Sequence, residues 1–427
     1  MYLNTHTYYS LRYGTIKPED LLALAKDKGL KTFALTDINS STACIDFVRL
    51  SSKYHIDPVV GVDFRNGVQQ EFVLLARNNQ GFRYINEYLS GLLHQKEFIV
   101  ATEPPIMSEV FVIYPFSKEL NRPLNENEFL GVGPDDLPRL KFSKLKWPME
   151  KLVILQTVSF QNKKGFNTHR LLRAIDNNTL LSKLPLSEQG EETDIMLSVS
   201  ALCELYKEYP QIIQNTQQVL EQCHITFDFE NKIPKNQKTY THNEELDFRL
   251  MRKLAYQGLK YRYKKLGARI FNRLEKELEI IQQKQFVSYF LINWKILKYA
   301  RSKGYYYVGR GSGANSIVAY LLRITDVDPI ELDLYFERFI NLYRKNPPDF
   351  DIDFSWRDRD DITNFIFRTF KNTALISVYN TFKFKASVRE LGKVFGLPKE
   401  EIDKLSKRQF QLNQLDFLSK LVIAYSQ

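Results

Sequence analysis

The chain has 427 residues, of which 44% are apolar and 26% charged, ordinary values for a folded protein with material for two or three domains. Its formal charge of +10 favours a polyanionic partner without naming one. Cys44, Cys203 and Cys223 make no disulfide framework, the start "MYLNTHTYYSLRYG" has no basic-then-apolar leader, and no apolar run nears the ~18 residues of a membrane span, so a cytoplasmic protein without membrane contact is expected.

In chain order, "KPEDLLALAKDKGL" (17–30) predicts an amphipathic helix with Pro18 near its start and a glycine at its close. "KTFALTD" (31–37) predicts a strand, "TACIDFVRLSSKYH" (42–55) a helix and "DPVVGVDF" (57–64) another strand. The rhythm continues in "QEFVLLA" (70–76), "GFRYINEYLSGLL" (81–93) and "KLVILQTV" (151–158), and such alternation predicts a parallel sheet or barrel with outer helices. "SVSALCELYKEYPQIIQNTQQVLEQC" (198–223) reads as helical from its three- and four-residue apolar spacing. The polar "DFENKIPKNQKTYTHN" (228–243) predicts a linker. After it comes a densely basic helical stretch (246–283), readable as a solvated face or as a polyanion-binding one.

Further on stands "GYYYVGRGSGANSIVAYLLRITDVDP" (304–329), a β-prone run, then Gly309, Gly311 and Gly313 interleaved with Arg310 and Ser312, then a helix-forming run. A glycine turn opening a helix leaves backbone N–H groups and the positive dipole end free for a phosphate, and Arg310 can add a charge-assisted bond. No Gly-Lys-[Ser/Thr] follows, so it is not a P-loop, and the G-x-G-x-G spacing is not a dinucleotide fingerprint. A tight turn without a ligand is the plain alternative. In "NPPDFDIDFSWRDRDD" (346–361), Asp349, Asp351 and Asp353 alternate with Phe350, Ile352 and Phe354. On a strand the three acids share one face at ~6.5–7 Å intervals, a repulsive arrangement. A calcium loop is excluded, because its glycine and glutamate positions hold Phe354 and Asp360. Carboxylates on a strand beside a phosphate-cradling turn instead suit a two-metal nucleotidyl-transfer site, whose ions offset the repulsion. The segment "TFKFKASVRELGKVFGLPKEEIDKLSK" (381–407) predicts two short helices broken at Gly396-Leu397-Pro398.

"VGRGSGANSIVAYLLRITDVDPIELDLYFERFINLYRKNPPDFDIDF" (308–354) closely resembles the palm of the bacterial C-family DNA polymerases, the DNA polymerase III α-subunit type. The resemblance extends to the start of that family's thumb, and "NTHTYYSLRYG", "FALTDINS", "PVVGVDF" and "FVLLARNNQGFRYINEYLS" resemble its N-terminal polymerase-and-histidinol-phosphatase (PHP) domain. It implies an α/β multidomain fold: a PHP-type distorted (βα) barrel over 1–240, an incomplete α+β nucleotidyltransferase palm over 241–371 and a small helical thumb segment over 372–427. It further implies a catalytic metal pair held by Asp349 and Asp351, with Asp353 secondary, and a triphosphate held by Arg310, Gly311 and Ser312. Lys383, Lys385 and Arg389 become candidates for duplex phosphate contacts, with solvated helix charges as the alternative. The implied cofactors are two Mg²⁺ ions, and the implied partners are primer–template DNA, dNTPs, the sliding clamp and other replisome subunits.

The chain departs from the family in two ways. The third catalytic aspartate of the family comes from a later palm segment, so a fragment with little or no primer extension of its own is expected. The PHP metal ligands are eroded: Asn4-x-His6 stands for a His pair, Ile38 for a His, Asp63 for a longer acid, Glu71 for a His, and Ser159 and Gln161 lie where an Asp-x-His is usual. His6 and Asp63 are read as remnants, and an empty PHP metal site is expected. A PHP-type metal-dependent phosphoesterase and a catalytically silent DNA-binding scaffold are the alternative functions.

Overall fold

A computed structural model describes residues 1–142, 148–230, 237–341, 343, 349–370, 373–376 and 378–407. Among them the chain divides into two compact units: Met1–Asn231 with the segment that begins at Asn380, and the stretch between, which ends at Tyr379. No helix among the described residues is long and apolar enough to cross a membrane.

The first unit opens with strand β1 (Asn4–Thr5) and helix α1 (Pro18–Asp27). Pro18 in the first turn, with Glu19 and Asp20 complementing the helix dipole, starts α1, and Gly29 at φ +79° follows its end. Strand β2 (Thr32–Leu35), helix α2 (Cys44–Tyr54), strands β3 (Asp57–Asn66) and β4 (Gln69–Ala76), and helix α3 (Asn79–Leu93) follow. Next come β5 (Val110–Pro115), β6 (Glu128–Val132), α4 (Leu137–Phe142), β7 (Leu152–Ile154), β8 (Thr157–Val158) and helices α5 (Lys163–Asp176), α6 (Val199–Leu205) and α7 (Pro210–Glu221).

Strands β2 to β7 form one sheet in chain order. It is mixed, where strand–helix alternation alone predicts a parallel one: β3–β4 and β4–β5 are antiparallel, the other pairs parallel. Only Gly67 and Val68 separate β3 from β4, with Gly67 at φ +61°, too short a link for a crossover, so the chain must turn back as a hairpin. Strand β1 pairs in parallel with β8, and its neighbourhood also meets β2, Ala34 N–H donating to the Tyr2 carbonyl at 2.8 Å and Thr36 N–H to the Thr5 carbonyl at 2.9 Å. Leu155 and Gln156 part β7 from β8, which pairs with β1 and not with β7, so among the described residues the strands form a mixed half-barrel. One sheet face (Val60, Val62, Phe64, Phe72, Leu74) packs with Leu21 of α1, Phe47 of α2 and Ile85 of α3. The other (Val59, Val73, Leu75, Ile113, Val153) packs with Val219 and Leu220 of α7. The helical stretch at 198–223 is two helices, because Pro210 has no N–H to continue one and instead starts α7.

The second unit contains α8 (Glu244–Arg262), α9 (Ala268–Gln283), α10 (Val287–Ser302), β9 (Tyr307–Arg310), α11 (Ile317–Leu321), β10 (Asp351–Phe354) and α12 (Arg359–Thr369). Residues 231–236 of the linker expected at 228–243 lie outside the described residues, but its end is fixed: Asp247 accepts from Tyr240 and Thr241 N–H at 2.6 and 2.8 Å, and Asn243 caps α8. The basic run at 246–283 forms α8 and α9, whose apolar stripes (Met251, Ala255, Leu259; Leu274, Leu278) join Phe290 and Leu291 of α10 and Ile317 and Leu321 of α11 in one core. Back in the first unit, α13 (Phe384–Val394) and α14 (Lys399–Lys407) flank Gly396 at φ +75°, as the sequence predicts, and Val394 packs on Leu171 and Ala174 of α5. The stretch 408–427 of the expected thumb segment lies outside the described residues.

In α8, a Cβ on Gly258 would stand 2.3 Å from the Leu321 carbonyl oxygen. Helix propensity favours alanine there by ~1 kcal/mol, but the backbone contact reverses the sign. Gly258→Ala is expected to lower stability by about 1–3 kcal/mol, read as a fall in the denaturation midpoint; a gain would show that α8 does not touch α11 so closely.

Candidate functional site

The glycine turn and the acidic stretch meet as a two-stranded antiparallel ribbon, β9 with β10, in which Asp351 stands opposite Arg310, Ile352 opposite Gly309, Asp353 opposite Val308 and Phe354 opposite Tyr307. Alternation splits the ribbon into two faces. Ile352, Phe354 and Tyr307 pack against the core, while Arg310, Asp351 and Asp353 are exposed. Asp349 lies just before the strand and is also exposed. Between them Phe350 holds the strand start in place: its ring stacks on Tyr289 at 5.2 Å and meets Phe290 and Phe339, and its N–H donates to the Tyr289 hydroxyl at 2.7 Å.

Gly311 sits at φ +75°, and a Cβ there would lie 2.5 Å from Asp351 Oδ2, so the turn and the carboxylate are in direct contact. Arg310 Nε donates to Asp353 Oδ2 at 2.6 Å, and its Nη1 is 3.7 Å from Asp351 Oδ2. With Arg310 60% and Asp353 59% exposed, the pair is an open surface contact worth at most about 1 kcal/mol. It relieves the repulsion between the acids in the absence of another cation and is weak enough to exchange. Ser312 is exposed beside Gly311.

The helix after the turn differs from the sequence expectation. The α-helical part is only Ile317–Leu321, preceded by a 3₁₀ turn over Gly311–Asn315. Its N-terminus is not free for a phosphate. Ser316 caps it by accepting from Ala319 N–H at 3.1 Å, and fully buried Glu277 of α9 accepts from the Ser316 hydroxyl at 2.8 Å and from Val318 N–H at 3.3 Å. Burial raises the Glu277 carboxyl pKa above its usual range, opposed by Arg273, whose Nε donates to it at 2.6 Å. Arg273 also donates to the Asn315 and Leu334 carbonyls at 3.0 and 2.9 Å, tying α9 to the turn. An incoming anion is therefore left with the exposed Gly311–Ser312 backbone and Arg310. Sequence reading missed Glu277, Arg273 and Tyr289; the Arg273–Glu277 spacing of four marks a helix pair but not its partners.

Asp349, Asp351 and Asp353 are hard oxygen donors, exposed and free of buried bonds, so their chemistry suits a divalent cation such as Mg²⁺. Among the described residues, however, no group of three or more His, Cys, Asp or Glu side chains is gathered closely enough to hold a metal ion. Lys383, Lys385 and Arg389 belong to the other unit, at the start of α13; all three are exposed, none forms an ion pair with a described residue, and Lys385 and Arg389 are one turn apart.

His6, Asp63 and Ser159 meet in a buried cluster. Asp63 Oδ2 is 3.0 Å from His6 Nε2, and Ser159 Oγ is 2.8 Å from His6 Nδ1. Burial lowers the His6 pKa, partly offset by Asp63. With the proton on Nε2, neutral His6 donates to Asp63 or to Asn4 Oδ1 at 3.1 Å and accepts from the Ser159 hydroxyl. Arg65 donates from Nε to the same Asp63 oxygen at 2.9 Å and lies over the Tyr13 ring at 5.1 Å. Burial would raise the Asp63 carboxyl, but Arg65 and His6 together hold it well below the usual range. Glu71 is engaged by Lys118 and Asn66, Gln161 is exposed, and Ile38 takes part through its backbone, bridging to Asp63 and donating its N–H to Ser10 Oγ at 2.9 Å. These residues do not fit a metal centre.

His169 is buried against Tyr13, its Nε2 accepting from Gly190 N–H at 2.8 Å, and burial pushes its pKa down to about 4. A depressed histidine binds its proton more readily when unfolded, so the stability it supports is present above about pH 6.5 and lost as pH falls toward its folded value. Unfolding titrations are expected to lose up to about 3 kcal/mol over that window, a slope that His169→Phe flattens; an unchanged slope in the variant would remove His169 as its source.

A model of the bacterial DNA polymerase III alpha NTPase domain matches residues 249–421, and a PHP domain model matches residues 3–115. The DNA polymerase III subunit alpha of Streptococcus pyogenes serotype M1 is 31% identical over 95% of this chain and 38% of its own length. That of Buchnera aphidicola is 29% identical over 95% and 39%, and an error-prone DNA polymerase of Symbiobacterium thermophilum 26% over 96% and 42%. The chain thus spans about two fifths of the length of these curated relatives. With a PHP match leading into the ribbon-bearing NTPase match, the chain carries a PHP domain and a bacterial DNA polymerase III alpha NTPase domain, and it is similar to DNA polymerase III alpha subunits over 95% of its length.

Proposed function

We propose that the chain forms the PHP domain (1–240), part of the palm (241–371) and the beginning of the thumb (372–427) of a DNA-directed DNA polymerase that adds dNTPs to a primer 3′ end. The observation that carries this reading is the contact of Gly311 with Asp351, which sets an exposed backbone turn against a carboxylate at the start of a strand. In the reaction the primer 3′-oxygen bonds to the α-phosphorus of the dNTP as the bond to pyrophosphate breaks. Asp349 and Asp351 would hold two Mg²⁺ ions, with Asp353 supporting, and the ions when bound supply positive charge to the attacking and leaving oxygens. The Gly311 and Ser312 backbone and Arg310 orient the triphosphate. Arg310 must leave Asp353 to do so, and its exposed pairing makes that exchange inexpensive. Lys383, Lys385 and Arg389 would meet primer–template phosphates, a sequence-independent and salt-sensitive contact. Clamp and other replisome partners would be engaged by the larger protein. A PHP phosphoesterase is disfavoured by Arg65, which takes the Asp63 oxygen that a metal would need.

Equilibrium binding of a fluorescent dNTP with Mg²⁺ tests the assignment. Asp351→Asn and Arg310→Ala are each expected to weaken it about tenfold or more, the loss of a charge-assisted contact, and Asp353→Asn by much less. Unchanged binding in both of the first two variants sinks the reading. Free Mn²⁺ should behave oppositely in Arg310→Ala, binding more tightly because the competing guanidinium is gone; weaker Mn²⁺ binding there would show that Arg310 does not compete for the acids.

A further inference from the structure

The buried barrel cluster holds more than the remnants of a metal site. Asp63 is fully buried, and its Oδ2 serves both His6 and Arg65, the guanidinium bonding through Nε at 2.9 Å and approaching through Nη2 at 2.7 Å. Asp63 Oδ1, also buried, has no hydrogen-bond partner among the described residues. Arg65 itself is only 6% exposed and stacks over Tyr13, whose ring edge meets His6 and His169. A buried guanidinium is therefore held where an acid and an imidazole converge, the position and charge sign in which a PHP metal would be bound. The neighbouring positions lack donors or are engaged elsewhere: Ile38 is apolar, and Glu71 is paired with Lys118.

We propose that Arg65 is a built-in cation that replaces the metal of the PHP domain, neutralising Asp63 and making the barrel's folding independent of divalent ions. The guanidinium matches the task because it stays charged when buried and presents a planar fork to the carboxylate. A metal would require Arg65 to leave, stranding a buried charge, so the two cations exclude each other. Asn4 makes the arrangement tolerant of losing Asp63, because its Oδ1 is already 3.1 Å from His6 Nε2 and can accept the imidazole proton alone.

The full chain tests this in two ways. Elemental analysis of the purified protein is expected to find no stoichiometric Zn²⁺, Mn²⁺ or Fe, with Tm unmoved by EDTA. A tightly held metal whose removal lowers Tm overturns the proposal. Secondly, Arg65→Met should raise the unfolding equilibrium constant about 100-fold or more, by leaving the charge of buried Asp63 with only neutral His6 beside it, and adding Asp63→Leu should recover most of that loss. A double variant no more stable than the single, or an Arg65→Met protein as stable as the parent, shows that charge neutralisation is not the role of Arg65. If Arg65→Met fails to fold, refolding on addition of Asp63→Leu supports the proposal and continued failure overturns it.

Discussion

The buried carboxylate of Glu277 is the fixed point on which the geometry of the glycine turn depends. It reaches from α9 to the Ser316 hydroxyl and the Val318 N–H, while Arg273, one helical turn away, balances its charge and holds the Asn315 carbonyl. Removing one member of such a buried pair typically costs about 3–5 kcal/mol, so the turn is held by an interaction of far greater consequence than the exposed Arg310–Asp353 contact beside it. The contrast divides the labour: α9 fixes where the turn is, and the surface charges remain exchangeable. It also explains why Gly311, Ser312 and Arg310, rather than the helix end, are the groups open to an anion.

The ribbon faces a different problem. Two strands alone are marginally stable, yet this pair must carry Asp351 and Asp353 on one exposed face. Its underside supplies what the pairing lacks. Phe350 inserts among Tyr289, Phe290 and Phe339, and its ring lies so close to Gly313 that a Cβ there would come within 2.6 Å. One side chain thus anchors the acidic strand and buttresses the glycine turn, and the glycine at 313 exists to let the ring in.

Much of this was legible beforehand because it is written in short-range pattern. Pro18 and Gly29 bound α1, the break at Gly396 separates α13 from α14, and the alternation from Asp351 to Phe354 states which side chains face outward. The hairpin of β3 and β4 was hidden by a strand–helix rhythm, although Gly67 between two apolar runs was its local sign. The roles of Glu277 and Arg65 were not legible, since each depends on partners brought together only by folding. Glu277 meets Ser316 across 39 residues, and Arg65 sits two residues from Asp63 but acts in a cluster that includes His6 and Tyr13. Local sequence carries no signal for a carboxylate that caps another element or for a cation that lodges in a barrel.

The Arg65–Asp63 pair also bears on how such a domain changes over generations. Restoring a histidine at Ile38 or Asn4 would add a donor beside an acid whose charge Arg65 already balances. Losing the guanidinium first would expose the barrel to a stranded carboxylate before any new ligand arrived. The order of change is therefore constrained by energy: the acid has to be neutralised before the guanidinium can go, or the barrel carries a buried charge in between.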